Sequence, residues 1–268
     1  MGEQTNKRPV IIAISNQKGG VGKTTTSINL ASSLVSQGKS VLVVDLDPQA
    51  NTTSGLGVDK SAIVAGTYHI LFDPSYAAKA VIRTPHGIAV MPAVPELAAA
   101  EVELVGLERR EHRLAELLPK FAFDYILIDS PPSLGLLTLN ALTAADHVII
   151  PVQAEYYALE GLGNLLGTMQ RVKAQLNKDL NLLGILMTMY DSRTTLSDQV
   201  VGEVHKHFPG KVFETMIPRN IRLAEAPSYG KPIQAHDKWS KGAKAYKKFA
   251  REMNKRVDSL SAKDATIR

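Results

Sequence analysis

A glycine-rich segment at residues 18–25 carries the residue types that bind phosphate. It lies between a short apolar run rich in β-branched residues, 10–15, and a segment with helical spacing of apolar residues, 24–34. Glycine in a strand-to-helix loop lets backbone N–H groups approach phosphate oxygens, and the helix dipole favours the anion. Lys23 supplies positive charge, and the Thr24 hydroxyl can ligate Mg²⁺. The segment therefore predicts a phosphate-binding loop.

The loop departs from the usual pattern G-x-x-x-x-G-K-[ST], because the chain has Gln17 where that pattern has glycine. It also contains a second lysine, Lys18, at the end of the loop that does not serve the nucleotide of its own chain. From the residues alone, the alternative is that Lys18 is a surface lysine on a turn. The candidate nucleotide-binding residues are Lys18, Gly19, Gly20, Val21, Gly22, Lys23, Thr24 and Thr25.

Two acidic residues follow predicted strands and complete a candidate catalytic set. Asp47 lies two residues beyond the run 41–45, in a loop that Pro48 rigidifies, and Asp129 ends the apolar run 126–129, which has the form of a Walker B element. Strand ends share one edge of a parallel sheet, so both acids can converge on a phosphate-bound Mg²⁺. Either acid alone could be a helix cap or a turn residue. Taken with the loop, they predict nucleotide hydrolysis.

Phosphoryl transfer needs charge neutralisation and an oriented water, with little covalent chemistry. We assign Lys23 and the loop amides to the β- and γ-phosphates. Thr24 and Asp129, the latter through water, are the candidate Mg²⁺ ligands. Asp47 is the candidate that orients the attacking water.

Seven apolar, strand-like runs alternate mostly with helix-length amphipathic stretches. This predicts an α/β fold, a mostly parallel, doubly wound sheet with helices on both faces. No linker or repeat divides the chain, so we expect one domain, 1–268, with a loose N-terminus at 1–8 and a flexible tail at 259–268. The predicted strands are Val10–Ser15, Ser40–Asp45, Gly87–Met91, Tyr125–Asp129, His147–Val152, Leu182–Met189 and Val212–Pro218.

Composition excludes several classes of protein. The 268 residues include no cysteine, which removes disulfides, thiolate zinc sites and iron–sulfur clusters. No apolar run reaches membrane-spanning length and no hydrophobic signal region begins the chain, so we expect a cytoplasmic protein. The net charge is +5, and residues 231–256 hold nine Lys and Arg against two acids. Such a run is either a solvated helix face or a surface for a polyanion.

Four segments resemble the ParA family, specifically the small Soj-type chromosome-partitioning ATPases. They are residues 16–26, 45–49, 128–132 and 217–227, and the likeness extends over residues 10–249. The family carries a deviant Walker A motif, whose additional lysine matches Lys18. The resemblance implies ATP and Mg²⁺ as ligands and an ATP-dependent homodimer in which Lys18 reaches the partner's phosphates. It also implies that Asp47 is required for hydrolysis and not for dimer formation.

The resemblance assigns further residues and partners. Pro218 and Asn220 match the segment near the adenine, and Arg193 and Arg222 match surface arginines that bind double-stranded DNA without sequence preference. A ParB-like centromere-binding protein would stimulate hydrolysis, and the protein would be nucleoid-associated. No N-terminal helix-turn-helix extension is present in this sequence, so sequence-specific operator binding is not expected.

Three alternatives use a similar loop. A membrane-cycling positioning ATPase resembling MinD or the flagellar-number regulators would end in an amphipathic helix with an apolar membrane face. Here only Phe249, Met253 and Val257 form a stripe, which we interpret as core contacts, so no stable membrane association is expected. The absence of cysteine excludes an electron-donating ATPase like the nitrogenase iron protein. The stretch 217–227 argues against a ligase of the dethiobiotin type.

Overall fold

The computed structural model describes residues 8–155 and 158–267, apart from the side chains of residues 158–160 and 263–267. Most of the N-terminal segment that was expected to be loose, residues 1–7, therefore lies outside the described residues. Within the described part of the chain, seven strands form one sheet in the order β3-β4-β2-β5-β1-β6-β7. All neighbouring strands are parallel except β3 and β4. The strands are β1 (Val10–Ile14), β2 (Val41–Asp45), β3 (Ile82–Arg83), β4 (Ala89–Met91), β5 (Tyr125–Asp129), β6 (His147–Gln153) and β7 (Asn181–Thr188).

Helices cover both faces of this sheet, which confirms the predicted fold class. Side chains alternate along a strand, so Ile12 and Ile14 pack on one face while Ile11 and Ala13 pack on the other. The α-helices of the described residues are α1 (Lys23–Val35), α2 (Asn51–Gly55), α3 (Thr67–Phe72), α4 (Ala100–Glu103), α5 (Arg113–Leu117), α6 (Leu136–Ala144), α7 (Ala158–Gln175), α8 (Thr195–His207), α9 (Ile221–Glu225), α10 (Ile233–His236) and α11 (Lys241–Ile267). Helices α1, α10 and α11 bury side chains against the face that carries Ile12 and Ile14. Helices α3 to α8 bury side chains against the opposite face.

The predicted strand 212–218 is wrong. The run follows β7 but forms only isolated bridges, from Val212 to Ile185 and from Pro218 to Tyr190. The backbone N–H groups of its central residues Glu214 and Thr215 donate to the carboxylate of Glu252 on α11, at 2.7 and 2.9 Å. A side chain from a helix thus replaces the ladder hydrogen bonds in the middle of the run, while the N–H groups of Phe213 and Ile217 still donate to carbonyls of β7. The two-residue antiparallel strand β3, which was not predicted, completes the sheet at its other edge.

Helix α11 packs its apolar stripe into the core. Phe249 and Met253 are fully buried and Val257 is 3% exposed, which confirms the interpretation of these residues as core contacts. The helix continues to Ile267, past the point at residue 259 where a flexible tail was expected to begin. Among the described residues, no helix is long and apolar enough to cross a membrane.

The register of the central strands sets the position of the loops that matter. Asp129 at the end of β5 pairs with Ile14 on one side and with Asp45 on the other. The segments that follow β1, β2, β5 and β6 therefore leave the sheet at one edge, its carboxyl edge, where ligands of such sheets bind.

Candidate active site

The glycine-rich loop joins β1 to α1 at the carboxyl edge. Gly20 and Gly22 adopt φ angles of 75° and 91°, a region that side chains with a Cβ rarely occupy. Gly22 is the residue that precedes α1, and the Thr188 hydroxyl at the end of β7 donates to the carbonyl of Val21 at 2.8 Å. The first N–H groups of a helix have no partner within the helix. The loop therefore presents a helix N-terminus beside Lys23, the arrangement that binds phosphate.

Lys23 is 8% exposed and lies between the loop and the acids of the site. Its Nζ donates to the carbonyl of Lys18 at 3.2 Å. Burial lowers the pKa of the Lys23 ammonium, and the charges of Asp129 and Asp47 oppose that shift. The two acids predicted from separate strand ends therefore both lie within electrostatic reach of this lysine.

Asp129 accepts hydrogen bonds from three hydroxyl groups. Its Oδ2 accepts from Thr24 at 2.8 Å and from Thr52 at 2.7 Å, and its Oδ1 accepts from Ser27 at 3.1 Å. Burial raises the pKa of the Asp129 carboxyl, while these hydrogen bonds and Lys23 lower it. The structure thus brings Thr24 and Asp129 together.

A carboxylate beside a hydroxyl is a donor set that suits Mg²⁺. This ion takes oxygen ligands and keeps several waters and phosphate oxygens, so it needs only one or two protein groups. Among the described residues, no group of three or more His, Cys, Asp or Glu could form an all-protein metal cage. Thr24 and Asp129 therefore fit a magnesium ion that is held mainly by a nucleotide.

Asp47 follows β2 in a turn that holds its carboxylate by one oxygen. Oδ1 accepts from the backbone N–H of Gln49 at 3.0 Å, and the carbonyl of Asp47 accepts from Ala50 at 2.8 Å. The side chain is nearly buried, at 9% exposure for the residue, and Oδ2 accepts no hydrogen bond from any described residue. One carboxylate oxygen is therefore available to a water or another donor.

Sequence reasoning missed Asp45, the last residue of β2, whose carboxylate holds the backbone of this turn by a hydrogen bond. Its Oδ2 accepts from the backbone N–H and the hydroxyl of Thr53, at 2.8 and 2.6 Å, and its Oδ1 accepts from the N–H of Asp47 at 3.2 Å. Asp45 is fully buried, and burial followed by the charge of Asp129 raises its pKa to about 7. The sequence signal was an acid inside a buried strand, two residues before Asp47, followed by paired threonines.

Lys18, the additional lysine of the loop, forms an ion pair with a second residue that sequence reasoning missed. Its Nζ lies 3.6 Å from Oε2 of Glu155, just after β6, and Glu155 Oε1 lies 3.8 Å from Nη2 of Arg219. Gln153 donates to the same Oε1 at 2.5 Å. Nothing in the local sequence around residue 155 indicated this contact, because the partners are far apart in the chain.

An apolar cavity of about 360 Å³ opens beside the loop. Pro218 and Asn220 lie in its wall together with Gly22 and Thr25, so the structure places the two candidate adenine-site residues next to the candidate phosphate site. The Asn220 side chain also accepts from the N–H of Leu223 at 3.2 Å and begins α9. The remaining lining residues are Thr188, Met189, Ile217, Arg219, Ile221, Leu223, Ala224 and Tyr246.

The two candidate DNA-binding arginines lie on the surface, each beside acids. Arg193 forms two hydrogen bonds with the carboxylate of Asp191, at 2.9 and 2.7 Å, and these hold the pKa of Asp191 well below its usual range. Arg222 Nη1 lies 2.9 Å from Glu225, and its Nε lies 3.8 Å from Asp237. Both side chains are more than half exposed, so these pairs are weak and can exchange for phosphate.

Comparison with known proteins places the chain among nucleotide-binding proteins. The family model described as an AAA domain matches residues 9–182. The chain is 54% identical over 246 residues to the sporulation initiation inhibitor protein Soj of Bacillus subtilis, an alignment covering 91% of this chain and 97% of that protein. It is 53% identical over 249 residues to the chromosome partitioning protein ParA of Myxococcus xanthus, covering 92% and 88%. A solved structure of cobyrinic acid a,c-diamide synthase from Mycobacterium smegmatis with bound ADP and magnesium aligns with a TM-score of 0.83 and 40% identity, covering 94% of this chain and 96% of that one.

Proposed function

We propose that this chain, which belongs to the ParA family of chromosome-partitioning ATPases and is of the Soj type, couples ATP hydrolysis to dimerisation and DNA binding. The chain is an ATPase, and its nucleotide acts with Mg²⁺. The observation that carries the proposal is the convergence of Lys23, Thr24 and Asp129 at the start of α1, with a 2.8 Å hydrogen bond between Thr24 Oγ1 and Asp129 Oδ2. An apolar cavity large enough for a purine lies beside them.

Each side chain of the site has one role in hydrolysis. The loop amides and Lys23 bind the β- and γ-phosphates, where positive charge stabilises the charge spread over the transferring group. Thr24 and Asp129 hold Mg²⁺, which neutralises the phosphate oxygens when it is bound. The free Oδ2 of Asp47 orients the attacking water, and Asp45 holds the turn that carries Asp47.

Lys18 serves the second subunit of an ATP-dependent homodimer. Its side chain is 40% exposed at the carboxyl edge, where it pairs with Glu155 and, among the described residues, with no acid of the phosphate site. An exposed ion pair contributes little free energy, so a partner's phosphate can replace the Glu155 carboxylate as its counter-ion. Dimerisation would then depend on ATP.

The ATP dimer binds double-stranded DNA without sequence preference through Arg193 and Arg222. One chain offers too few phosphate contacts to hold DNA at physiological salt, and a two-fold dimer doubles their number. A ParB-like partner stimulates hydrolysis and returns the protein to the monomer, and the protein is associated with the nucleoid. Phosphate contacts position a protein without reading bases, which fits a protein that moves over the whole chromosome.

One experiment tests these steps in order. Gel filtration with light scattering is run on the protein alone, with ADP and Mg²⁺, and with ATP and Mg²⁺, followed by duplex DNA and by lipid vesicles. We expect a dimer only with ATP, DNA binding only by the dimer, and no retention on vesicles. Tight DNA binding by the nucleotide-free monomer, or vesicle retention with ATP, would contradict the proposal.

A further inference from the structure

An exposed tryptophan lies next to the surface that carries Arg222. Trp239 is 73% exposed, which is unusual for so large an apolar side chain. Its backbone N–H donates to Asp237 Oδ1 at 3.1 Å, and the other oxygen of that carboxylate faces Arg222. The Asp237 carboxylate therefore links the backbone of Trp239 to the Arg222 side chain. Neither the ATPase site nor the sheet explains the exposure of the indole.

The backbone that carries this indole is held by a turn. Asp237 Oδ1 also accepts from the N–H of Ser240 at 3.1 Å, and the Ser240 hydroxyl donates to the carbonyl of Asp237 at 2.8 Å. The same hydroxyl accepts from the N–H of Ala243 in the first turn of α11, at 3.1 Å. A ligand that stacks on Trp239 thus meets a backbone that is already ordered, which lowers the entropic cost of binding.

The surroundings of Trp239 are cationic. The Lys238 ammonium lies over the indole, 5.3 Å from the ring centroid, and Lys241 and Lys244 lie in the first turn of α11, which contains no acid. Among the described residues, none of these three lysines forms an ion pair. Lysines at a helix N-terminus oppose the helix dipole, so helix stability does not account for them. Asp237, whose carboxylate accepts from the Trp239 N–H, already faces Arg222, as does Glu225.

The Trp239 ring remains 73% exposed although Lys238 lies over it, and an exposed aromatic ring within a basic surface is the combination that binds unpaired bases. Within the described residues no aromatic ring stacks on Trp239, whereas the exposed Tyr229 ring lies 4.9 Å from that of His236. Duplex DNA presents phosphates and sugars and keeps the faces of its bases stacked inside. Single strands expose base faces to aromatic side chains and phosphates to lysines.

We propose that Trp239, flanked by Lys238 and Arg222, stacks on an unpaired base of a single-stranded nucleic acid. This activity is separate from duplex binding by the ATP dimer. The stacking site uses the indole for the base and the lysines at the start of α11 for the backbone.

The chain contains a single tryptophan, so its fluorescence reports directly on this site. The full-length protein is titrated with oligothymidine, with oligouridine and with a duplex of the same length, with and without ATP and Mg²⁺. We expect both single strands to quench the fluorescence and the duplex to leave it nearly unchanged. The ratio of the two single-strand affinities tells whether DNA or RNA is preferred.

Variants separate stacking from charge. Binding of labelled oligothymidine to Trp239→Ala should weaken by about 5- to 150-fold, the loss of one stacked base, while Trp239→Phe retains most of the affinity. Duplex binding should be the same in both variants, whereas Arg222→Ala weakens binding to single and double strands alike. The Trp239 side chain packs in neither hydrophobic core, so both variants should fold, and circular dichroism checks that they do.

Three results would overturn the inference. They are unchanged affinity of Trp239→Ala for oligothymidine, unchanged fluorescence at saturating oligothymidine, and a blue shift with lipid vesicles in place of quenching by single strands. Loss of duplex binding by the ATP dimer would instead contradict the proposed function and leave the stacking site intact, so the two failures are distinguishable.

Discussion

Lys18 and Glu155 face each other at the carboxyl edge of the sheet, with 3.6 Å between Nζ and Oε2. The two residues are contributed by the loop after β1 and the segment after β6. Both side chains are about 40% exposed, so solvent weakens the pair and a stronger anion can displace it. In the proposed dimer, the phosphate of a second subunit's nucleotide is that stronger anion.

Removal of Lys18 should separate dimerisation from nucleotide binding. We expect Lys18→Ala to bind ATP and to remain monomeric, because its backbone, which contacts Lys23, is retained. Lys23→Ala is the matched control and should lose nucleotide binding outright. Equilibrium dialysis with ATP and light scattering measure the two properties, and an ATP dimer of Lys18→Ala with wild-type affinity would refute the role of Lys18.

Glycine substitutions in the loop test the subunit contact in a second way. A Cβ added at Gly19 meets no atom within 4 Å in a single chain, so Gly19→Val should fold and bind ATP but clash with a partner that approaches this loop. Gly22→Val should instead lose ATP binding, because φ at Gly22 is 91° and a valine would distort the loop. If Gly19→Val dimerises normally with ATP, the loop does not lie at the subunit contact.

Asp47→Ala should stop hydrolysis and leave the ATP dimer intact. A group that orients water acts on the transition state more than on the ground state, and its loss should lower kcat by about 10²- to 10⁴-fold. We expect phosphate release to fall while gel filtration shows a longer-lived dimer. Normal turnover by this variant would mean that another group, such as Asp129, orients the water.

Asp45→Asn should destabilise the protein and remove a pH dependence. An amide NH₂ cannot accept the bonds that both carboxylate oxygens now accept, so we expect a loss of about 1–3 kcal/mol in the free energy of unfolding. In the wild type, the pKa of the Asp45 carboxyl is about 7 in the folded chain, whereas the ordinary pKa of an aspartate, which applies to the unfolded chain, is 3.8.

Between these two pH values the folded chain holds more protons than the unfolded chain, so the free energy of unfolding falls as pH rises, by about 1.4 kcal/mol per pH unit. Above pH 7 Asp45 is ionised in both states, so this loss of stability is complete and the free energy of unfolding falls no further from this group. Urea denaturation of ligand-free protein at pH 5 and pH 8 should therefore show a smaller advantage of wild type over Asp45→Asn at the higher pH. An advantage that stays constant or grows would contradict the raised pKa of Asp45.

Asp191, the acid beside the candidate DNA-binding residue Arg193, allows a test in which two substitutions should change duplex binding in opposite directions. Arg193→Ala should weaken duplex binding on all sequences alike, and Asp191→Asn should strengthen it, because the carboxylate that now pairs with Arg193 repels phosphate. With two arginines per subunit, the plot of log K against log salt should have a slope of roughly −3 to −4 in the wild type. Anisotropy at several salt concentrations measures both effects, and a preference of Arg193→Ala for particular sequences would refute a pure phosphate contact.

Features determined by short stretches of the chain could be predicted from the sequence. The loop at residues 18–25 combines glycine, lysine and threonine within eight positions, so strand, loop and helix follow from neighbouring residues. Asp129 ends an apolar run, and parallel strands place their ends at one edge. For that reason the fold class, the stripe at Phe249 and the approach of Thr24 to Asp129 were all accessible before the structure.

Only the tertiary structure decided which distant groups meet. Glu155 reaches Lys18 from another strand, and Glu252 takes the N–H groups of residues 214 and 215 away from the predicted seventh strand. Asp45 reads as an ordinary strand residue, yet its burial beside Asp129 changes its protonation. A local sequence pattern contains the hydrophobic periodicity of a helix or strand and the residue types at its two ends. The partner of a buried or bridging side chain depends on how those elements pack, and no local pattern contains that information.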